Sequence, residues 1–139
     1  MWKKVYSTIT EDATQQQMWR LWSDPNTWHL HDKAIEYAKL QGKFEKGNSV
    51  ILKVKGGPKV KMDLIEVIEN KTYTDVTHFF LAKMWDEHMI EETPHGLKIT
   101  NTLWVTGLLS FLWIKLVAGN IAKTMPTDID DQIKRARTL

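Results

Sequence analysis

MWDEHMIEETPHGLKITNTLWVTG, residues 84–107, reads as two strands folded back on a turn. Side chains alternate across a strand. Met84, Asp86, His88 and Ile90 therefore share one face of the first arm, and Ile99, Asn101, Leu103 and Val105 share one face of the second. With Pro94 and His95 central in the turn Thr93-Pro94-His95-Gly96, His88 lies directly across from Asn101. An acid, an imidazole and an amide then sit among aliphatic side chains. Polar groups in a core need partners, so the pattern points to a lined cavity and a small-molecule site.

Outward from this hairpin the period changes. From Leu108 onward it is helical: Leu109, Leu112, Trp113 and Leu116 form one stripe, and Ile114, Ala118, Ile121, Met125 and Ile129 form another. A segment apolar nearly all round needs cover on two sides. Pro126 is expected to kink or interrupt this helix, with Asp128, Asp130 and Asp131 capping a restarted one. The basic tail Lys134-Arg135-Ala136-Arg137 suits a helix C-terminus. Upstream, residues 2–9 alternate as a strand. Asp12 with Gln15 reads as a capping box, opening a helix with the apolar stripe Met18, Trp19, Trp22 that Asp24-Pro25 stops. A short helical turn follows over residues 28–33, then strands over 35–41, 48–55, 60–69 and 72–81. Gly56-Gly57-Pro58 and Asn70-Lys71 are the turns. Successive strands on short turns make an antiparallel sheet. One helix covers so wide a sheet only if the sheet curls around it, which leaves a gap at the mouth.

The 139 residues make one domain, residues 1–139, and can bury roughly two thirds of the unfolded surface. With 42% hydrophobic and 26% charged residues the chain is globular. A net charge of +2 with dispersed lysines excludes a nucleic-acid footprint. With no cysteine there is no disulfide framework, thiol nucleophile or thiolate metal site. The start Met1-Trp2-Lys3-Lys4 is no signal peptide. Leu108–Leu116, broken by Lys115, is well short of the ~20 residues a membrane span needs. A cytoplasmic protein without membrane insertion is expected. Seven tryptophans are many for this length, and several are expected at a pocket or its rim.

An ordered series of short motifs resembles the START/Bet v 1-like superfamily, in its bacterial polyketide cyclase/dehydrase-like (SRPBCC) branch. The series is Trp22-Ser23-Asp24-Pro25 with Trp28, Leu40-x-Gly42-x-Phe44-x-x-Gly47, Leu64-Ile65-Glu66-Val67, Tyr73-Thr74-Asp75-Val76, Met84-x-x-x-His88, Gly96-x-x-Ile99-Thr100 and Gly107-Leu108. It spans essentially the whole chain. The resemblance implies an α+β helix-grip fold, a curved antiparallel sheet wrapped around the C-terminal helix with a deep cavity between them. It further implies binding of lipids, sterols, polyketides or other apolar molecules, with some members cyclases or dehydratases. Two positions depart from the family pattern: Asp86 stands where an apolar residue is usual and Asn101 where histidine is common. Asp86 is either an acquired function or a bulge that faces water.

Three functions compete. The first is binding of a hydrophobic or aromatic small molecule in the cavity. Its wall is expected to include Tyr37, Leu52, Met62, Leu64 and Phe79 from the strands and His88, Asn101 and Leu103 from the hairpin. The helix is expected to add Leu109, Trp113 and Leu116. The second is a cyclase- or dehydratase-type enzyme with His88 as general acid or base, supported by Asp86. The third is a protein-interaction module with a filled cavity. Trp104, of opposite parity to Leu103 and Val105, is expected outside, and Trp2 and Trp85 raise the same question. These outward aromatics point to a homodimer. His29, His31 and Asp32 carry metal-ligand chemistry, but on a helical turn the two histidines diverge and no third ligand has a recognisable spacing. Neither a metal nor any cofactor is implied.

Overall fold

The computed structural model describes residues 1–139. The chain opens with β1 (Trp2–Thr10), α1 (Gln15–Trp22) and a 3-10 turn (Pro25–Leu30). Six strands follow: β2 (Ile35–Gln41), β3 (Ser49–Val54), β4 (Lys59–Ile68), β5 (Thr72–Phe79), β6 (Ala82–Thr93) and β7 (Gly96–Thr106). The C-terminal helical segment is built from α2 (Ser110–Trp113), a π-turn (Ile114–Ala118) and α3 (Gly119–Ala136). The seven strands form one antiparallel sheet in the order β1-β7-β6-β5-β4-β3-β2, so β1 and β2 are its two edges. The sheet is open and curved, with the long helical segment packed on its concave side, a helix-grip architecture. No helix is long and apolar enough to cross a membrane.

The central hairpin turns on Pro94 and His95 and pairs His88 with Asn101, as the alternation requires. Three local features differ from the sequence expectation. The cap of α1 is Thr14, not Asp12: its hydroxyl accepts from the Gln17 N–H and its own N–H donates to the Gln17 side chain. The hydroxyl reaches the third backbone N–H of the helix only from that position. The helix also runs through Pro126 without interruption. The missing N–H forfeits a single bond, and buried Met125 and Ile129 hold the turn on either side.

The third difference is the π-turn. Gly119 donates its N–H to the Ile114 carbonyl five residues back, and a Cβ at 119 would stand 2.8 Å from that oxygen. The extra residue shifts the helical phase. Ala118, Met125 and Ile129 become the buried stripe, whereas Leu112 and Leu116 turn to solvent.

The core falls into two apolar clusters. One gathers Met18, Trp22, Leu64, Ile90, Ile99 and Ile129, among others, under α1 and the 3-10 turn. The other gathers Met84, Leu103, Val105, Ala118 and Met125 under the π-turn. Along β6 and β7 the residues that separate them are Asp86, His88 and Asn101. A polar band thus crosses the interior between two apolar blocks.

Candidate functional site

Three adjacent strands build the band through their register. Asp75 on β5 pairs with Asp86 on β6, Tyr73 pairs with His88, and Asn101 on β7 lies between His88 and Tyr6 on β1. Asn101 donates from Nδ2 to the Asp86 carboxylate and, at 3.0 Å, to the Glu87 carbonyl. His88 is buried, with Nδ1 3.8 Å from the Asp86 carboxylate and without a hydrogen-bond partner. Its ring stacks on Tyr73, centroids 4.6 Å apart and planes within 4°, and meets Trp22 edge-on at 5.4 Å. Trp22 in turn ties α1 to α3, donating from Nε1 to Gln132 Oε1 at 2.8 Å.

Asp86 therefore faces inward rather than onto a bulge, with a fifth of its side chain still open to solvent. Burial raises the pKa of its carboxyl, and nearby His88 and the Asn101 donor only partly offset this. Asp75 is buried to 3% exposure. Its pKa is pushed well up by burial and then by the neighbouring Asp86, and no donor or cation pulls it back. Burial lowers the pKa of His88 against the opposing pull of Asp86 and Glu87, so its imidazole is neutral at pH 7. The interior thus presents carboxyls that resist ionisation beside a neutral imidazole with a free ring nitrogen.

Asp75 is the site residue that the sequence reading missed. Tyr73, Asp75, Thr77 and Phe79 alternate as plainly as the residues of β6 do. Counting the β5–β6 hairpin back from its turn would have set one acid opposite the other.

The expected wall residues do not all converge. Leu52 and Met62 pack against the first cluster, which contains Leu64; Phe79 packs against the second, which contains Leu103. Tyr37 is on the other face. A bulge between Ile35 and Tyr37 shifts the register and pairs Tyr37 with Lys53, and the Lys39 ammonium lies 5.1 Å from its ring centroid. Leu116 points to solvent because of the π-turn. Trp113 stacks on Phe79 at 4.4 Å and donates from Nε1 to the Phe80 carbonyl at 2.8 Å. Leu109 donates its N–H to the Leu81 carbonyl, so both residues are tied to the turn between β5 and β6. Trp2 faces inward against the second cluster. Trp85 and Trp104 stack on the convex face, 5.8 Å apart.

Beside His88 the interior is filled on one flank by the rings of Trp22 and Tyr73, with Phe44 and Trp28 packed behind Tyr73. Two open depressions, of about 170 and 410 Å³, lie elsewhere. The smaller is flanked by Lys3, Glu87 and Trp104, and the larger by Leu81, Lys83, Trp85 and Gly107. At the 3-10 turn, burial together with Arg135 and His29 brings the His31 pKa to about 4. No group of three acids or imidazoles is arranged to hold a metal.

No protein-family model and no curated protein matches the chain. Solved structures do. Ara h 8.0201 superposes with a TM-score of 0.72 at 12% identity, covering 99% of this chain and 100% of that one. Norcoclaurine synthase from Thalictrum flavum, in complex with dopamine and hydroxybenzaldehyde, gives 0.65 at 17% identity over 95% and 84%. The di-domain ARO/CYC StfQ of the steffimycin biosynthetic pathway gives 0.73 at 8% identity, with 98% of this chain on 50% of that one. At such identities the likeness is one of fold.

Proposed function

We propose that this Bet v 1-like helix-grip chain binds an apolar small molecule between its concave sheet and C-terminal helix, with Asp75, Asp86, His88 and Asn101 as the polar contact. The observation that carries the reading is Asp75, a buried acid facing a second acid with no donor of its own. A core that only needed packing would place a hydrocarbon there. A carboxyl that resists ionisation and an imidazole that resists protonation suit a neutral ligand bearing a carbonyl or hydroxyl, held by one or two hydrogen bonds inside an apolar envelope. Likeness to one protein solved with bound small molecules adds the precedent of the fold, as analogy. We propose a cytoplasmic location with this reading.

Thermal denaturation against a library of apolar ketones, phenols and fatty acids tests it. A compound at 100 times its dissociation constant stabilises by about 2.7 kcal/mol, and Asp75→Leu abolishes the preference for the oxygenated members. If no compound moves the transition, the filled interaction module is the better description.

The free Nδ1 of His88 favours a second reading, acid–base catalysis of a cyclase or dehydratase type with Asp86 in support. His88→Ala distinguishes the two. A binder keeps much of its affinity, whereas an enzyme loses roughly 10²–10⁴-fold in turnover.

A further inference from the structure

One end of the molecule carries a surface that the proposed groove does not use. Phe80 and Leu81 form the turn between β5 and β6, and Leu108, Phe111, Leu112 and Leu116 project from the start of the C-terminal helical segment. All six are exposed, led by Leu108 at 79%, Phe80 at 71% and Phe111 at 69%. Scattered exposed leucines are ordinary, but a contiguous set on one end is not.

The two segments are locked into one surface. Leu109 N–H donates to Leu81 O at 3.0 Å, Trp113 Nε1 donates to Phe80 O, and Phe79 stacks on Trp113. Gly107, at φ 117°, lets the backbones touch: a Cβ there would lie 2.6 Å from both Leu81 O and Ala82 Cα. The turn is also held at a conformational cost. Leu81 sits at φ 54°, in the left-handed region that leucine avoids. A two-residue turn built for stability and solubility would use Asn-Gly. This one holds a phenylalanine and a strained leucine out in water.

Charge selects the partner. Residues 76–85 and 107–127 contain Lys83, Lys115 and Lys123 and no aspartate or glutamate, and all three lysines are exposed. The acid nearest the turn in the register, Asp63 on β4, is already engaged by Lys61 and His78; an apolar patch whose own segments carry only lysines complements an anionic lipid surface. It is a poor self-complementary dimer face, because a twofold axis through it sets lysine against lysine. We propose that this end docks peripherally on an anionic bilayer, with Phe80, Leu81, Leu108 and Phe111 entering the interface and the lysines meeting the headgroups. The inference does not depend on the groove binding any ligand.

Co-sedimentation of the full chain with phosphatidylcholine vesicles, with and without about one third phosphatidylglycerol, tests it. The expected result is binding to the anionic vesicles, weakened by salt. It falls at least about tenfold in Phe80→Ser/Phe111→Ser and separately in Lys115→Glu. All three changes are on exposed side chains, so circular dichroism should show an unaltered fold. No binding to either vesicle overturns the proposal. Equal binding to both, unmoved by Lys115→Glu, overturns it as well. A concentration-dependent dimer that Phe111→Ser dissolves, with no vesicle binding, assigns the patch to a second copy and overturns it.

Discussion

Asp75 and Asp86 oppose each other across β5 and β6 with His88 alongside, and the three pull the pH dependence in opposite senses. Both acids titrate higher folded than their unfolded value of 3.8. Between that value and the raised one, the native state holds protons that the unfolded chain has released, so stability falls as pH rises. His88 titrates below its unfolded value of 6.5. Below that pH the unfolded chain takes up the proton first, so this contribution is lost as pH falls. Asp75→Asn removes the share of the first slope that Asp75 contributes and leaves that of Asp86 and the second slope. Denaturation curves of the two proteins should meet near pH 4 and separate upward, the variant the more stable by about 1–3 kcal/mol at pH 8. Parallel curves would mean that Asp75 ionises freely. The sequence reading reached His88, Asp86 and Asn101 because alternation and turn length set their register. Asp75 was not legible because its register depends on the β5–β6 turn, and Phe80-Leu81 carries none of the residue types that mark a hairpin turn. The sequence reading misplaced Tyr37 because a β-bulge has no reliable signature in side-chain type.

Strands were legible in sequence because their alternation is local, and the β2 bounds fall on Ile35 and Gln41 as read. The helix was harder. Periodicity identified two stripes, but which one meets the sheet depends on a π-turn whose only trace is Gly119 beside Ala118. Gly119→Leu therefore tests an element-scale claim. The side chain would crowd the Ile114 carbonyl, disturb the turn, and destabilise the fold by roughly 1–3 kcal/mol in urea. Thr14→Ala, which removes the hydroxyl side of the capping box, should cost about 1 kcal/mol. The corresponding change at Asp12 should be near neutral, since its carboxylate caps nothing. Equal effects at the two positions would refute the assignment of the cap.

The whole molecule joins two apolar blocks across a polar band, and their residues answer to different parts of the chain. Leu103 is fully buried in the block under the π-turn. Leu103→Ala should cost about 2–5 kcal/mol and loosen amide protection in the first half of the C-terminal helical segment more than in α1. Uniform loss of protection would show that the blocks unfold as one. A last consequence concerns the sheet's rim. Because the strand order stops at β1, alternate residues of this nine-residue strand turn their N–H and C=O groups outward with no further strand to answer them. That rim is a ready template for chain-to-chain growth, and exposed Lys3 and Lys4 act as its gatekeepers by repelling another copy. Lys3→Thr/Lys4→Thr should leave the monomer's circular dichroism intact while light scattering and thioflavin fluorescence rise on incubation.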